Sequence, residues 1–218
     1  MKKSLRAYGV ALLALLLLLL FTMPVAAAEN NLLANGGFEQ VDANGNPAEW
    51  YRNAYYDEIG YSRLSITDEI AHSGQYSAVI ENASPNDARF ICTVKVKPSS
   101  LYKMSGYVLV ESMESVGNGA NFAIEDIYAV SDCLFEATGE WEYVEWYGRT
   151  GVGQKELTIG VRIGGYGAES LGKAYFDDIV FEKVETLPEG VEASGWYVPK
   201  SAGSSAAQKT PAQTSHNN

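Results

Sequence analysis

Imidazole chemistry has little to work with in this chain. Its 218 residues include only two histidines, His72 and His216, and His216 sits in the C-terminal tail. A charge relay would rest on His72 alone, and no Gly-x-Ser-x-Gly nucleophile elbow accompanies it. There is no phosphate-cradling glycine loop, dinucleotide fingerprint or zinc-ligand spacing. Gly151-Val152-Gly153 and Gly164-Gly165-Tyr166-Gly167 read as turns between strands. Carboxylates are abundant, with 27 Asp and Glu. Glycoside hydrolysis needs two of them at a set separation, and their even scatter singles out no pair. The residue types point away from an enzyme.

Aromatic residues are the denser signal. Trp50-Tyr51-Arg52-Asn53-Ala54-Tyr55-Tyr56, with Tyr61 soon after, is polar between its rings and lacks strand alternation. Flat apolar rings beside Arg and Asn suit stacking on the C–H faces of a sugar and bonding to its hydroxyls. Trp50 is expected to plug the end of the domain. Tyr51, Arg52, Tyr55, Tyr56 and Tyr61 are candidate ligand contacts, because loops on a rigid scaffold carry binding residues. Arg162 lies opposite the apolar face of its own segment and reaches either ligand or solvent. Trp141, Tyr143, Trp146 and Tyr147 divide between two faces of one strand, one of them core.

These side chains must be positioned by strands. Period-two alternation marks Phe90–Lys97, Leu101–Val110, Leu157–Ile163 and Tyr175–Phe181. Further strands are expected at Arg63–Thr67, Tyr76–Asn82, Asn121–Ala129 and Trp141–Tyr147. No segment sustains a helical period with caps. Eight or nine strands between about Asn30 and Val184 fit an all-β, two-sheet sandwich with one core. Within Tyr175–Phe181 the alternation turns one of Asp177 and Asp178 inward. A buried carboxylate needs a cation or hydrogen bonds.

The ends read differently. Lys2, Lys3 and Arg6 precede an apolar run from Val10 to Phe21, followed by Pro24 and Val25-Ala26-Ala27-Ala28. That is the layout of a secretory signal peptide, cleaved after Ala28. The run is short for a bilayer span, so the mature chain is expected outside the cell, secreted or held at its surface. The domain is taken as 29–185, with 186–218 as a flexible linker or tail rich in Ser, Ala and Pro. Trp196-Tyr197 is the one apolar knot in it, packing back or belonging to something beyond. The full chain carries net charge −11, and −14 without the three bases of the export segment. Such a surface repels nucleic acid and anionic membranes and suits neutral ligands or divalent cations. Cys92 and Cys133 could bridge in an exported protein. Cys92 also fits as a small core hydrophobe on its strand's apolar face.

An ordered series of short motifs runs through the body of the chain. It comprises Asn35-Gly36-Gly37-Phe38-Glu39, Pro47 and Trp50, His72-Ser73-Gly74 with Tyr76-Ser77, Gly139-Glu140-Trp141, and Tyr175-Phe176-Asp177-Asp178-Ile179. The series resembles the jelly-roll carbohydrate-binding modules of families four, nine and twenty-two, within the galactose-binding-like superfamily. The stretch from Leu32 to Val184 is also similar to the N-terminal domain of some bacterial mannosyltransferase-like membrane proteins. The first resemblance implies a monomeric, non-catalytic glycan binder. The second implies a structural or interaction jelly roll, the extracytoplasmic part of a larger membrane protein. The module resemblance further implies a structural calcium held by Glu39, Glu69 and Asp177, with the carbonyls of Gly37 and His72. Asp178 is the alternative to Asp177.

Overall fold

The computed structural model describes residues 30–114 and 116–197. The expected export segment and the chain beyond Tyr197 lie outside the described residues. Two sheets face each other. The first has five strands, in the order β1-β4-β9-β6-β7. These are β1 (Tyr51–Ala54), β4 (Ala88–Lys95), β9 (Glu156–Ile163), β6 (Ala120–Ile124) and β7 (Ala129–Val130). The second has six, in the order β11-β8-β5-β10-β3-β2. They are β11 (Ser194–Trp196), β8 (Glu142–Thr150), β5 (Leu101–Met113), β10 (Ser170–Val184), β3 (Ser77–Asn86) and β2 (Ser62–Thr67). All strand pairs are antiparallel except β11 with β8. This is the two-sheet β-sandwich expected. Among the described residues no helix is long and apolar enough to cross a membrane.

Alternation explains the core. On β4, Phe90, Cys92 and Val94 face inward; on β9, Leu157, Ile159, Val161 and Ile163 do; on β5, Tyr102, Met104, Val108 and Val110 do. Burial of rows like these is the main favourable term in folding. Trp50 is buried as expected, its ring against Phe38 and its indole N–H donating to the Asn35 carbonyl at 2.9 Å. On β8 Val144 and Trp146 pack against the main core, while Trp141, just before the strand, packs in a small satellite cluster on the sheet's outer face.

The structure departs from the expected pattern at several points, among them Asn121–Ala129, where a 3-10 turn at Glu125–Ile127 separates β6 from β7 instead of one continuous strand. Residues 51–54 form an edge strand, not a loop. Alternation within Tyr175–Phe181 does not run through: Asp178 adopts φ 50°, and the β10–β5 register shifts between Asp177 and Val180. That bulge lets Phe176, Ile179 and Phe181 all enter the core. Finally, Trp196, in the segment expected as linker, packs back on the domain. The segment 186–197 adds β11, and Trp196 is fully buried between Trp146 and Phe181. The thiols of Cys92 and Cys133 are free. Burial pushes Cys92 up to about 11, as befits an inert core residue.

Candidate functional site

At one end of the sandwich the chain leaving β1 carries Tyr55, Tyr56 and Tyr61 into a cluster. Ring centroids are 4.7 Å apart for Tyr55–Tyr56 and 5.0 Å for Tyr56–Tyr61. Tyr55 and Tyr56 are 61% and 39% exposed. The backbone beneath them is anchored. Tyr55 N–H donates to the Asp87 carbonyl at 2.9 Å. Tyr56 N–H donates to Asn86 Oδ1, and Asn86 Nδ2 donates back to the Tyr56 carbonyl. The Tyr61 carbonyl accepts from Ala83 and Ser84 N–H. Asn86 is fully buried, and Asn82 supports it by donating to its carbonyl at 3.0 Å. Exposed rings thus stand on a fixed base, which lowers the entropy lost on binding. Tyr55 above all, with burial and Glu169 next, holds the Tyr56 phenol above its usual range. The hydroxyl therefore stays neutral at physiological pH, able to donate and accept.

Arg162 is placed below this cluster and out of solvent, at 3% exposure. Its Nε donates to Asp87 Oδ1 at 2.6 Å, and Nη2 pairs with Oδ2. Arg89 Nη1 reaches the same carboxylate at 3.1 Å, and Arg89 Nε lies 2.6 Å from Glu125. Burial drives the Glu125 carboxyl up while Arg89 and Arg162 oppose it. Arg162 thus supports the backbone under Tyr55 from within the fold. It neutralises Asp87, whose carbonyl holds Tyr55. Its buried head does not reach out to a ligand as the sequence reading allowed.

The remaining candidates diverge. Tyr51, 68% exposed, pairs with Ile91 and shares the outer face of the five-stranded sheet with Arg89 and Arg162. Arg52 points to the other side of the same edge strand, where Nη2 donates to the Gly45 carbonyl at 3.2 Å. Two further tyrosines outside the expected site are exposed. Tyr128 and Tyr166 pack on each other at 4.7 Å. Tyr128 occupies a left-handed position after a short 3-10 turn, and Tyr166 rides the glycine turn after β9. An aromatic inside a glycine-rich turn was the available signal.

A second group gathers around the His72-Ser73-Gly74 turn. Asp177, fully buried, accepts from His72 N–H at 2.8 Å and Ser73 N–H at 3.1 Å on one oxygen. Its other oxygen accepts from Asp178 N–H at 2.7 Å. Desolvation raises its carboxyl to about 6 despite these donors. Glu39 Oε1 accepts from Gln75 and Tyr76 N–H. Gly37 leaves open the place of a Cβ that would lie 3.6 Å from Asp178 Oδ1 and 3.8 Å from Asp177 Oδ1. Gly37, Glu39, His72 and Asp177 are therefore brought to one region, with Asp178 beside them. Glu69 is not: it lines a separate cleft with Arg63, Val79, Lys173 and Tyr175. Among the described residues no three His, Cys, Asp or Glu side chains stand at metal-site spacing. His72, Ser73 and Asp178 do touch, but the carboxylate sits in the middle. His72 Nδ1 is 2.7 Å from Asp178 Oδ2, and Ser73 Oγ donates to Asp178 Oδ1 at 2.7 Å. A nucleophile needs its base on the hydroxyl, with the acid behind the base; this order differs.

No protein-family model matches the chain, and no curated protein does. Solved structures with the same kind of fold are numerous, and most of those compared are carbohydrate-binding modules, including members of families 4, 16 and 22. An arabinose-bound α-L-arabinofuranosidase, MgGH51, superposes with TM-score 0.51 at 16% identity, over 71% of this chain and 26% of that one. TmCBM61 in complex with beta-1,4-galactotriose gives 0.46 at 18% identity, over 71% and 99%. The enzymatically active domain of bacteriophage CBA120 tailspike protein 4 gives 0.49 at 11%, over 71% and 21%. The chain thus spans about a fifth to a quarter of the two enzymes and nearly all of the module. At these identities the likeness is one of fold.

Proposed function

We propose that this chain is an exported, non-catalytic glycan-binding module. The observation that carries the proposal is the tyrosine cluster Tyr55–Tyr56–Tyr61, with Tyr55 and Tyr56 exposed and Tyr61 half-buried behind them, on a backbone fixed by Asn86 and Asp87. Tyr51 extends this aromatic surface onto the outer face of the five-stranded sheet. Rings of this kind stack on pyranose faces, and the polar groups around them bond hydroxyls. The acidic surface favours a neutral sugar. Galactotriose, arabinose and xylan, which accompany the fold's neighbours, are the natural first probes. Few ordered contacts offset the association entropy, so affinities of micromolar to millimolar are expected, about −8 to −4 kcal/mol. A glycan array probed with the protein should show binding to neutral oligosaccharides, and prolonged incubation should release no reducing ends. An empty array would leave a structural domain; steady release of sugar would make it an enzyme.

The proposal includes a structural calcium between the N-terminal segment and β10. Glu39 and Asp177, or Asp178 in its place, with the carbonyls of Gly37 and His72, would be the hard-oxygen donors, and binding would have to draw them together, since among the described residues no three such side chains stand at metal-site spacing. Bound there, the ion would offset the charge that burial penalises at Asp177. Added Ca²⁺ should raise the melting midpoint and a chelator should lower it; Glu39→Ala should blunt the response. An equal melt in both conditions would contradict the site.

Metal-free protein should also show the titration of Asp177. Its folded pKa of about 6 exceeds the ordinary 3.8, so the folded state holds the proton more tightly than the unfolded chain. The group's contribution to stability is then fully present below about pH 4 and is lost as pH rises to about 6. In chelator, wild type should gain on Asp177→Asn as pH falls from about 6 to about 4. A constant difference between the two melts across that window would show that Asp177 does not titrate there.

A further inference from the structure

We propose a second saccharide site on the outer face of the six-stranded sheet, which makes this module a bridge between two glycan chains. The inference rests on the glycan-binding reading above. Between the N-terminal segment and β8 lies a cleft of about 540 Å³, within the roughly 300–1,000 Å³ typical of small-ligand sites. Tyr143 forms its aromatic wall at 50% exposure. Tyr143 is cross-strand to Tyr107, with ring centroids 5.3 Å apart. Tyr107 is itself clamped by His72, stacked at 3.5 Å and 13°. The platform is therefore fixed by stacking before any ligand arrives.

Polar groups stand at the other sides of the same cleft. Lys103 Nζ is 2.8 Å from Glu182 Oε1, which leaves the ammonium with two spare donors and the carboxylate with a spare acceptor oxygen. Ser73 lines the opposite wall. Donors and acceptors interleaved around one exposed ring match the alternating C–H and O–H surface of a pyranose. They match a peptide strand poorly, because β5 beneath the cleft is paired on both sides, to β8 and β10, and offers no free backbone edge.

The two surfaces face apart. The first site stands at one end of the sandwich and extends through Tyr51 onto the outer face of the five-stranded sheet, whereas Tyr143 stands on the outer face of the other sheet, with the core between. Packed sheets are about 10 Å apart, and each outer face looks away from its partner. A single extended glycan passing over one face does not meet the second. Occupation of both sites joins two chains and raises avidity for a polysaccharide matrix without any new contact.

Amide shifts of the labelled protein, titrated with short oligosaccharides of galactose, xylose and glucose, test this directly. Two separate groups of resonances should move: Arg52–Tyr56 at the first site, and Gly106, Tyr107 and Val144 at the second. Tyr143→Ala should silence the second group and leave the first. Tyr143→Phe, which keeps the ring, should retain both. Wild type should also turn soluble polysaccharide turbid, and Tyr143→Ala should not. Movement of the first group alone, with turbidity unaffected by Tyr143→Ala, overturns the second site and leaves the binding module standing. No movement in either group with any of these sugars overturns both.

Discussion

Replacing Trp196 by alanine is expected to lower the melting midpoint by roughly 6–20 °C. The ring is fully buried, in edge contact with Trp146 at 4.8 Å and stacked on Phe181 at 5.8 Å. Gly148 makes room for it, since a Cβ there would come within 2.0 Å of the indole. Emptying such a site costs about 3–5 kcal/mol, and each kcal/mol moves the midpoint of a domain this size by about 2–4 °C. Gly148→Ala should be damaging for the same reason, from the other side of the contact. Truncation after Val184 would remove both the ring and the β11 pairing, so it should be at least as destabilising as Trp196→Ala. A thermal melt decides. A midpoint within about 2 °C of wild type for Trp196→Ala would mean that this segment only rests on the sandwich.

The second large effect is expected at the buried ion pair. Arg162→Met leaves Asp87 at 5% exposure with Arg89 as its remaining cation. Removing one partner of a buried pair costs about 3–5 kcal/mol, whereas replacing both by apolar groups costs far less. The double variant Arg162→Met with Asp87→Leu should therefore be more stable than Arg162→Met alone. The single variant should also loosen Tyr55, because the same Asp87 carbonyl receives its N–H. Chemical denaturation measures the first effect and exchange protection of the Tyr55 amide the second. A loss under about 1 kcal/mol would be that of an exposed pair and would remove Arg162 from the support of the site.

Much of the scaffold was legible in the sequence because one face of each strand is buried and the other is not. Phe90, Cys92 and Val94 alternate with Ile91 and Thr93, and the structure buries the first set in the main core. Alternation failed where the backbone breaks it. The bulge at Asp178 puts Phe176 and Ile179 on one side, although an odd spacing separates them. Trp196 was ambiguous because a three-residue strand has no period to read; only its contact with Trp146 and Gly148 shows its place. Arg162 faces away from its strand's apolar side, as the alternation predicts, but its carboxylate partner lies 75 residues distant, and no local pattern shows that pairing. Tyr128 and Tyr166 meet through two turns far apart in the chain, for the same reason. Glu69 follows the pattern of the resemblance yet lines a different cleft, because motif order carries no side-chain direction.

The central claim is that exposed tyrosines on a fixed base bind neutral glycan. Affinity electrophoresis through gels containing galactan or xylan tests it most directly, comparing wild type with Tyr55→Ala/Tyr56→Ala. Wild type should be retarded in at least one gel. The double variant should run as in a sugar-free gel while its melting midpoint stays within about 2 °C of wild type, since both rings are solvent-exposed and surface changes cost little. Unretarded wild type, or a variant that loses retardation only by unfolding, would contradict the account.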